Sequence, residues 1–287
     1  MAAGTGAELT PGTALTGAPW LAIGVADRSP GRRDARVRSA VVIDEATALE
    51  AGAALHVTRD EVTWRDGDVA CARVERLGAI VLAERPLADP DPAAVAAALA
   101  EGLRLEGLRL LHWTPAARRL RARLAAAHAG LGNPWPAMDD DVLLAAIDVS
   151  SARSRADLTR LDVVAALRAL VPWQVAGELD AVVPERVEVP TGSRIPVDYT
   201  DPDVPTLSVR VQEVFGWAEA PLIAGRPLRL QLLSPAQRVV ATTGDLAGFW
   251  VTGYPAVRSE LRGRYPRHPW PEDPAVASAT KRAKPRP

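Results

Sequence analysis

The stretch AVVIDEATALE, from Ala40 to Glu50, decides which class of fold the chain can adopt. Four apolar residues run into Asp44 and Glu45, as in a strand that ends on the magnesium-binding acidic pair of an ATPase. The alternative is a strand followed by a short helix, in which Asp44 caps the helix and Glu45 lies at the positive end of the helix dipole. The surrounding sequence decides between the two.

An ATP-hydrolysing motor also needs a glycine-rich loop with a lysine to hold the phosphates. No GxxxxGK[ST] pattern occurs in the 287 residues, and the only lysines are Lys281 and Lys284. The sequence before Asp44 contains no glycine loop followed by a helix, and a βαβ unit alone takes ~30 residues. The sequence therefore predicts a strand-to-helix junction at Asp44, and it offers no catalytic, metal-binding or cofactor-binding residue.

The composition indicates a small multidomain chain. With 48% apolar residues, 25 prolines and 21 glycines, it can form two or three small domains joined by many loops. The single cysteine, Cys71, excludes an internal disulfide and favours a reducing compartment, so we expect a cytoplasmic location. No apolar run of the ~18 residues typical of a membrane span occurs, so no membrane partner is expected.

The charge is unevenly distributed along the chain. The net charge is −1, but residues 255–287 carry eight basic and three acidic side chains, which leaves +5 there and −6 on the remainder. Such asymmetry indicates a local anionic partner, of which nucleic acid is the commonest. The alternative is a solvated basic tail that only keeps the protein soluble.

Apolar periodicity predicts an α+β chain with three folded parts between two disordered ends. Five short strands and one helical interruption over 19–88 predict a small β-barrel, similar to an oligonucleotide/oligosaccharide-binding (OB) fold. A helical domain is predicted over 89–182, and a β-rich domain closed by helices over 183–268. Residues 1–18 and the basic tail 269–287 are predicted to be disordered.

Capping chemistry predicts several helix boundaries. Asp89, Thr114 and Asp139 precede helical runs and are predicted to cap them. Pro255 interrupts the apolar pattern of the last helical segment, so we predict two helices there, with Pro255 in the first turn of the second. The tryptophans at helix ends are interpreted as core anchors: Trp113, Trp135 and Trp173.

Long phrases in the second half resemble one family. VPTGSRIPVDY (189–199), VRVQEVFGWAEAP (209–221) and DLAGFWVTGYPAVRSELRGRYPRHPWPEDP (245–274) are similar to the C-terminal region of the bacterial ATP-dependent helicases of the HrpB type, in the DEAH/RHA group. The resemblance extends backwards through LHWTPAARRLRARL and ERLGAIVLAERPL. It covers roughly residues 20–287.

This resemblance implies an accessory role. In the family, two RecA-like domains carry the phosphate loop, the DEAH box and the arginine fingers that use ATP and Mg²⁺, and this chain begins where the OB-like domain would begin. The catalytic residues therefore cannot be carried over, and no ATP hydrolysis by this chain alone is expected. The implied partner is single-stranded nucleic acid, expected to be RNA, beside a helicase core.

A protein-interaction module is the alternative to nucleic-acid binding. On this hypothesis the chain docks on a separately encoded helicase core. The net charge of −6 on residues 1–254 favours it, because a negative surface repels nucleic acid.

The candidate nucleic-acid contacts near the C-terminus are arginines and aromatic rings. Arg258 and Arg262 are four residues apart on one helical face, where their guanidinium groups can grip phosphates, and Tyr265 and Trp270 can stack on bases. Alternatively, the arginines cap the helix and pair with Glu260, while the two rings pack inward.

Arg194 is a further candidate, in the turn that spans Gly192 to Tyr199. It either contacts nucleic acid or forms a salt bridge in a β-turn. The complete candidate set is Arg194, Arg258, Arg262, Arg264, Tyr265, Arg267, His268 and Trp270.

Overall fold

The computed structural model describes residues 1–283, so Lys284 and Arg286 of the predicted basic tail lie outside the described residues. The expected α+β class is confirmed, because short helices and several small sheets alternate along the chain. The chain divides into two compact units. Unit 1 contains residues 1–106 and 149–159, and unit 2 contains residues 107–148 and those from 160 onward.

The helices and strands are mostly short. The strands are β1 Ala7–Glu8, β2 Leu21–Asp27, β3 Ala35–Val42, β4 His56–Arg65, β5 Asp68–Leu77, β6 Ile80–Pro86, β7 Arg186–Glu188, β8 Arg194–Asp198, β9 Thr206–Arg210, β10 Leu222–Ile223, β11 Arg226–Pro227, β12 Arg229–Leu233 and β13 Val239–Thr243. The α-helices are α1 Glu45–Ala51, α2 Pro92–Glu106, α3 Pro115–Leu131, α4 Asp140–Ala146, α5 Arg155–Leu158, α6 Val163–Ala169, α7 Trp173–Ala176, α8 Leu179–Val182, α9 Leu246–Thr252 and α10 Tyr254–Arg264. Short 3₁₀ helices span Ala53–Leu55, Gly107–Leu110 and Val211–Glu213.

Unit 1 contains the five strands that the sequence predicts, but they do not close into the expected barrel. Among the described residues these five strands, together with the additional short strand β1, form two separate sheets, with strand orders β1-β3-β2 and β4-β5-β6. A barrel requires an unbroken ring of hydrogen-bonded strands, and here α1 and a 3₁₀ helix separate β3 from β4 in sequence without any pairing between them. The prediction of a closed OB-like barrel is therefore corrected to two three-stranded sheets.

Helix α2 packs on the β4–β5 hairpin of unit 1. A Cβ atom at Gly102 would lie 2.4 Å from the Trp64 ring, so only glycine allows this approach. The Trp64 indole Nε1 also donates a hydrogen bond to Glu106 Oε1 at 3.0 Å. Helix α2 therefore covers the β4–β5 hairpin, whereas in a closed barrel these strands would pair with further strands.

The stretch from Ala40 to Glu50 forms the predicted strand-to-helix junction. Asp44 has an extended backbone, and its Oδ1 accepts a hydrogen bond from Thr47 N at 2.8 Å. Hydrogen bonds from the side chain and the backbone of Thr47 hold the pKa of the Asp44 carboxyl below its ordinary value. The aspartate therefore works as a helix cap, as the sequence predicts.

Unit 2 is built on a five-stranded sheet of order β13-β12-β9-β8-β7. Strands β9 and β12 pair in parallel, while the other neighbours are antiparallel. Leu207, Leu230 and Leu232 are at most 1% exposed and belong to its core. The predicted apolar face of α9 and α10 is also buried: Leu246, Phe249, Trp250, Tyr254, Val257 and Leu261.

The predicted caps and the proline break agree with the structure at all but one position. Thr114 Oγ1 and Asp139 Oδ1 accept backbone hydrogen bonds at the starts of α3 and α4. Helix α10 begins at Tyr254 with Pro255 in its first turn. Asp89 does not cap α2, because the helix begins at Pro92 and the adjacent Asp91 accepts the bond from Ala93 N instead.

The three tryptophans predicted as core anchors have different environments. Trp135 is 3% exposed and Trp113 is half-buried, with its Nε1 donating to Leu108 O at 3.1 Å. Trp173 is 84% exposed, so the prediction is wrong for this residue. It opens the four-residue helix α7, none of whose residues is buried.

Both chain segments that the sequence predicts to be disordered make backbone hydrogen bonds. Ala7 and Glu8 pair in parallel with β3. Near the other end, Gly216 N donates to Pro274 O and Thr280 N donates to Gln212 O, both at 2.9 Å.

The cap at Asp44 leads to a first prediction. Asp44→Ala should lower the midpoint of thermal unfolding, because it leaves the Thr47 amide without its partner, whereas Asp44→Asn should keep the cap at neutral pH. Because the pKa is lowered on folding, the contribution of the carboxylate is present above its ordinary value of 3.8 and is lost as the pH falls through the folded value. Circular dichroism melts at neutral and acidic pH measure both effects.

Glu50→Ala, in the last turn of the same helix, is the matched control for loss of an exposed carboxylate. An equal midpoint for Asp44→Ala and the unaltered chain would contradict the capping role. Loss of an ATPase activity of the chain on Asp44→Ala would instead restore the magnesium-site hypothesis.

Candidate nucleic-acid interface

The Arg258 side chain forms hydrogen bonds with the segment that follows α10. Its Nε donates to Trp270 O at 2.9 Å, and its Nη2 contacts Glu272 Oε1 at 3.2 Å. The Tyr254 hydroxyl donates to Pro271 O in the same segment at 3.1 Å. Arg258 therefore positions residues 270–272 against α10, and its guanidinium is already occupied.

The aromatic candidates also make internal contacts. The Trp270 indole Nε1 donates to Tyr265 O at 2.9 Å. The Tyr265 and His268 rings meet edge to face with centroids 6.2 Å apart. His268 Nδ1 lies 2.6 Å from Gln212 Oε1. All three rings are half-buried, which matches the alternative in which they pack inward.

The buried Gln212 and Glu213 belong to the phrase VRVQEVFG, and they hold other parts of unit 2 together. Gln212 Nε2 donates to Thr280 O at 3.1 Å, while Glu213 Oε2 accepts from Ser193 Oγ at 3.1 Å. The segments that carry the family resemblance thus bond to one another. The residues of these phrases therefore stabilise the fold of unit 2.

Three of the eight candidates are exposed arginines at or just beyond the C-terminal turn of α10. The side chains of Arg262 and Arg264 make no hydrogen bond or ion pair with any residue of the described chain, Glu260 included, while Arg267 is exposed but does have a partner. The positive charge lies at the negative end of the helix dipole, which is where basic residues are stabilised. Arg194 is likewise exposed, on β8.

Arginines on the predicted OB-like surface of unit 1 are largely neutralised. On the β4–β5 hairpin, Arg73 binds Asp60 through two hydrogen bonds, and Arg76 binds Glu61 in the same way. Hydrogen bonds from Arg76 and Arg59 lower the pKa of Glu61 to about 2. The surface of this hairpin therefore carries arginine–carboxylate pairs, and it does not offer a row of unpaired arginines for a nucleic-acid backbone.

Sequence reasoning did not assign a role to the densest arginine run of the chain, RRLRAR at 118–123 in α3. Arg123 is 5% exposed, and its Nε donates to Val183 O at 2.6 Å, while Arg121 donates to Met138 O at 2.8 Å. Arg118 and Arg119 are exposed, and their side chains make no hydrogen bond or ion pair within residues 1–283. Four arginines within six residues of one helix were the feature of the sequence that could have identified this region as a candidate binding surface.

Comparison with known proteins supports the family resemblance. Residues 145–274 match the family model described as ATP-dependent helicase C-terminal (HrpB_C). The chain resembles the C-terminal region of HrpB. It is 39% identical to the ATP-dependent RNA helicase HrpB of Escherichia coli (strain K12), over 99% of this chain and 36% of that relative.

Two solved structures agree with this resemblance to HrpB. The crystal structure of the E. coli DExH-box NTPase HrpB matches with a TM-score of 0.65 and 38% identity, over 99% of this chain and 36% of that one. The crystal structure of the Escherichia coli DEAH/RHA helicase HrpB matches with a TM-score of 0.56 and 36% identity, over 94% and 35%. The chain spans about a third of the length of the HrpB relatives that it matches.

Residues 1–283 contain neither a metal-binding cluster nor a helix suited to a membrane. No group of three or more histidine, cysteine or carboxylate side chains in this range is placed to hold a metal ion. No helix in the same range is both long and apolar enough to cross a membrane.

The half-buried His268 leads to a second prediction. Burial, followed by the nearby Arg210 and Arg267, lowers the pKa of its imidazole below the ordinary value of 6.5. The unfolded chain then binds the proton more readily, so stability is complete above 6.5 and decreases as the pH falls from there to the folded pKa. His268→Gln should therefore lose less stability than the unaltered chain between pH 7 and pH 5, measured by urea unfolding.

His112→Gln, at an exposed histidine, is the matched control and should follow the unaltered chain. An identical pH dependence for His268→Gln and the unaltered chain would show that His268 does not contribute.

Proposed function

We propose that this chain is the accessory, nucleic-acid-binding part of an ATP-dependent helicase of the HrpB type, and that it binds single-stranded RNA without hydrolysing ATP itself. Its similarity to an RNA helicase supports the context, and the absence of a phosphate-loop sequence supports the lack of hydrolysis. A cytoplasmic location accords with the single cysteine and is part of the same proposal.

The observation that carries the proposal is the exposed basic end of α10. Arg262 and Arg264 have no internal acceptor in the described chain, so their guanidinium groups are available for phosphate oxygens. Arginine binds phosphate through two parallel N–H donors, which favours it over a point charge for this task. Arg267, in the segment after the helix, is a further exposed cation, although it already has a partner.

Titration of the purified chain with fluorescently labelled single-stranded RNA at several salt concentrations tests the proposal. We expect binding that weakens as salt rises, because phosphate contacts release counterions. Arg262→Gln/Arg264→Gln should lower the salt slope by about 0.7 for each phosphate contact removed.

Arg28→Gln/Arg36→Gln is the matched control, since it removes two exposed arginines without internal partners from unit 1. No binding by the unaltered chain at low salt would refute the proposed function. Equal losses in both double variants would show that overall charge, and not the end of α10, determines binding.

Docking on a helicase core is the second candidate, and Trp173 favours it. This indole is 84% exposed, and large aromatic side chains are common anchors at the centres of protein interfaces. In a docking module, Trp173→Ala should weaken association with a separately produced helicase core by tenfold or more, since anchor truncations cost roughly 2 kcal/mol.

Isothermal titration calorimetry measures this association. Val239→Ala is the matched control, because Val239 is also exposed and apolar but lies on an edge strand. An unchanged affinity for Trp173→Ala would remove this indole from any docking surface.

A further inference from the structure

Unit 2 contains a groove between helix α3 and the β7–β8 hairpin. The groove has a volume of about 580 Å³, with Ala122 and Tyr199 among the residues that line it. The same two residues and Arg118 also line a second hollow of about 470 Å³, which extends to Trp113. The two hollows therefore adjoin each other along α3, and we refer to them together as the channel.

The α3 wall of this groove carries two arginines whose side chains have no partner. Arg121 and Arg123, on the same helix, bind carbonyl and carboxylate oxygens within unit 2. Arg118 and Arg119 are exposed, line the groove and have no side-chain acceptor among residues 1–283. Two arginines of α3 therefore stabilise the fold of unit 2, while Arg118 and Arg119 are available in the groove.

The opposite wall adds Arg186, and Arg194 lies beside it on the same hairpin. Arg186 pairs directly with Pro196 across the hairpin, so both side chains lie on one face, and both line the groove. Arg194 precedes Pro196 by two positions and therefore lies on that same face. The Arg186 Nη1 donates to the backbone oxygen of Arg194, which leaves its charge without a carboxylate partner in the described chain.

Two acidic side chains line the groove, Glu185 and Asp198, against the three arginines Arg118, Arg119 and Arg186, whose charges have no carboxylate partner in the described chain. Glu185 Oε1 lies 3.4 Å from Arg123 Nη1. Asp198 Oδ1 accepts hydrogen bonds from the amide and the hydroxyl of Thr200. Glu188 opposes Arg194 in the hairpin. The Tyr199 hydroxyl donates to Pro184 O at 2.7 Å, and burial raises its pKa, so this phenol adds no negative charge.

The shape and chemistry of the groove match an extended polyanion that carries aromatic bases. Arginines on both walls face an open channel, and at one end Arg121 lies over the Trp113 ring with 5.4 Å between the guanidinium carbon and the ring centroid. Proteins that bind single-stranded nucleic acid combine a basic groove for the backbone with aromatic or guanidinium planes for the bases.

We infer that the α3 groove binds the phosphodiester backbone of single-stranded nucleic acid, through Arg118 and Arg119 on one wall and Arg186 on the other, with Arg194 beside the groove on the same face of the hairpin. This inference rests on the proposed function and assigns it a second surface, distinct from the end of α10. Trp113 and Arg121 would then stack on a base at one end of the channel.

Anisotropy titrations with labelled single-stranded RNA over a series of salt concentrations test this assignment. Arg118→Gln/Arg119→Gln should weaken binding roughly tenfold at low salt and lower the salt slope by about 0.7 for each lost contact. Arg186→Gln, on the opposite wall, should lower the slope by about half as much. Arg28→Gln/Arg36→Gln, the matched control, should bind like the unaltered chain.

Each outcome supports or overturns a distinct statement. RNA binding that persists unchanged in both groove variants would overturn the groove while leaving the proposed function intact. No RNA binding by the unaltered chain would overturn both. Competition by poly-glutamate as effective as by unlabelled RNA, and lost in the groove variants, would assign the groove to an acidic peptide and overturn the nucleic-acid inference.

Discussion

The arrangement of unit 2 depends on one buried guanidinium. Arg123 is 5% exposed, and its donors bind Val183 O and the carboxylates of Asp180 and Glu185. A buried arginine is stable only where most of its donors have partners, so these contacts tie α3 to the segment that leads into β7. The β7–β8 hairpin consequently runs alongside α3. Arg123 itself lines the groove between them.

Local chemistry predicted much of the fold. Periods of two and of three to four residues located the principal strands and helices, and Asp44, Thr114 and Asp139 cap helices as short-range capping rules require. The closed barrel was a wrong prediction because closure depends on pairing between strands that are distant in sequence. In the structure α2 packs on the β4–β5 hairpin instead, with Gly102 against Trp64.

Whether each arginine side chain has an internal partner was harder to predict than which helix or strand contains it. Arg258 bonds to residues 12 and 14 positions away, and Arg123 contacts a carboxylate 57 positions away. A sequence pattern cannot identify such partners, because they meet only after the chain folds. Arg258 and Arg262 lie on the same face of the helix. Arg258 nevertheless donates to internal acceptors, whereas Arg262 is exposed.

The pairing of individual arginines matters more in this chain than its net charge. At physiological ionic strength the Debye length is about 8 Å, so exposed charges much farther apart than this scarcely influence each other. The carboxylates of the β4–β5 hairpin are bound to arginines, which further weakens their field. A net charge of −6 on residues 1–254 is therefore a weak argument against polyanion binding at Arg118 and Arg119. Two unpaired guanidinium groups on one helix create a local positive potential that the average over the chain conceals.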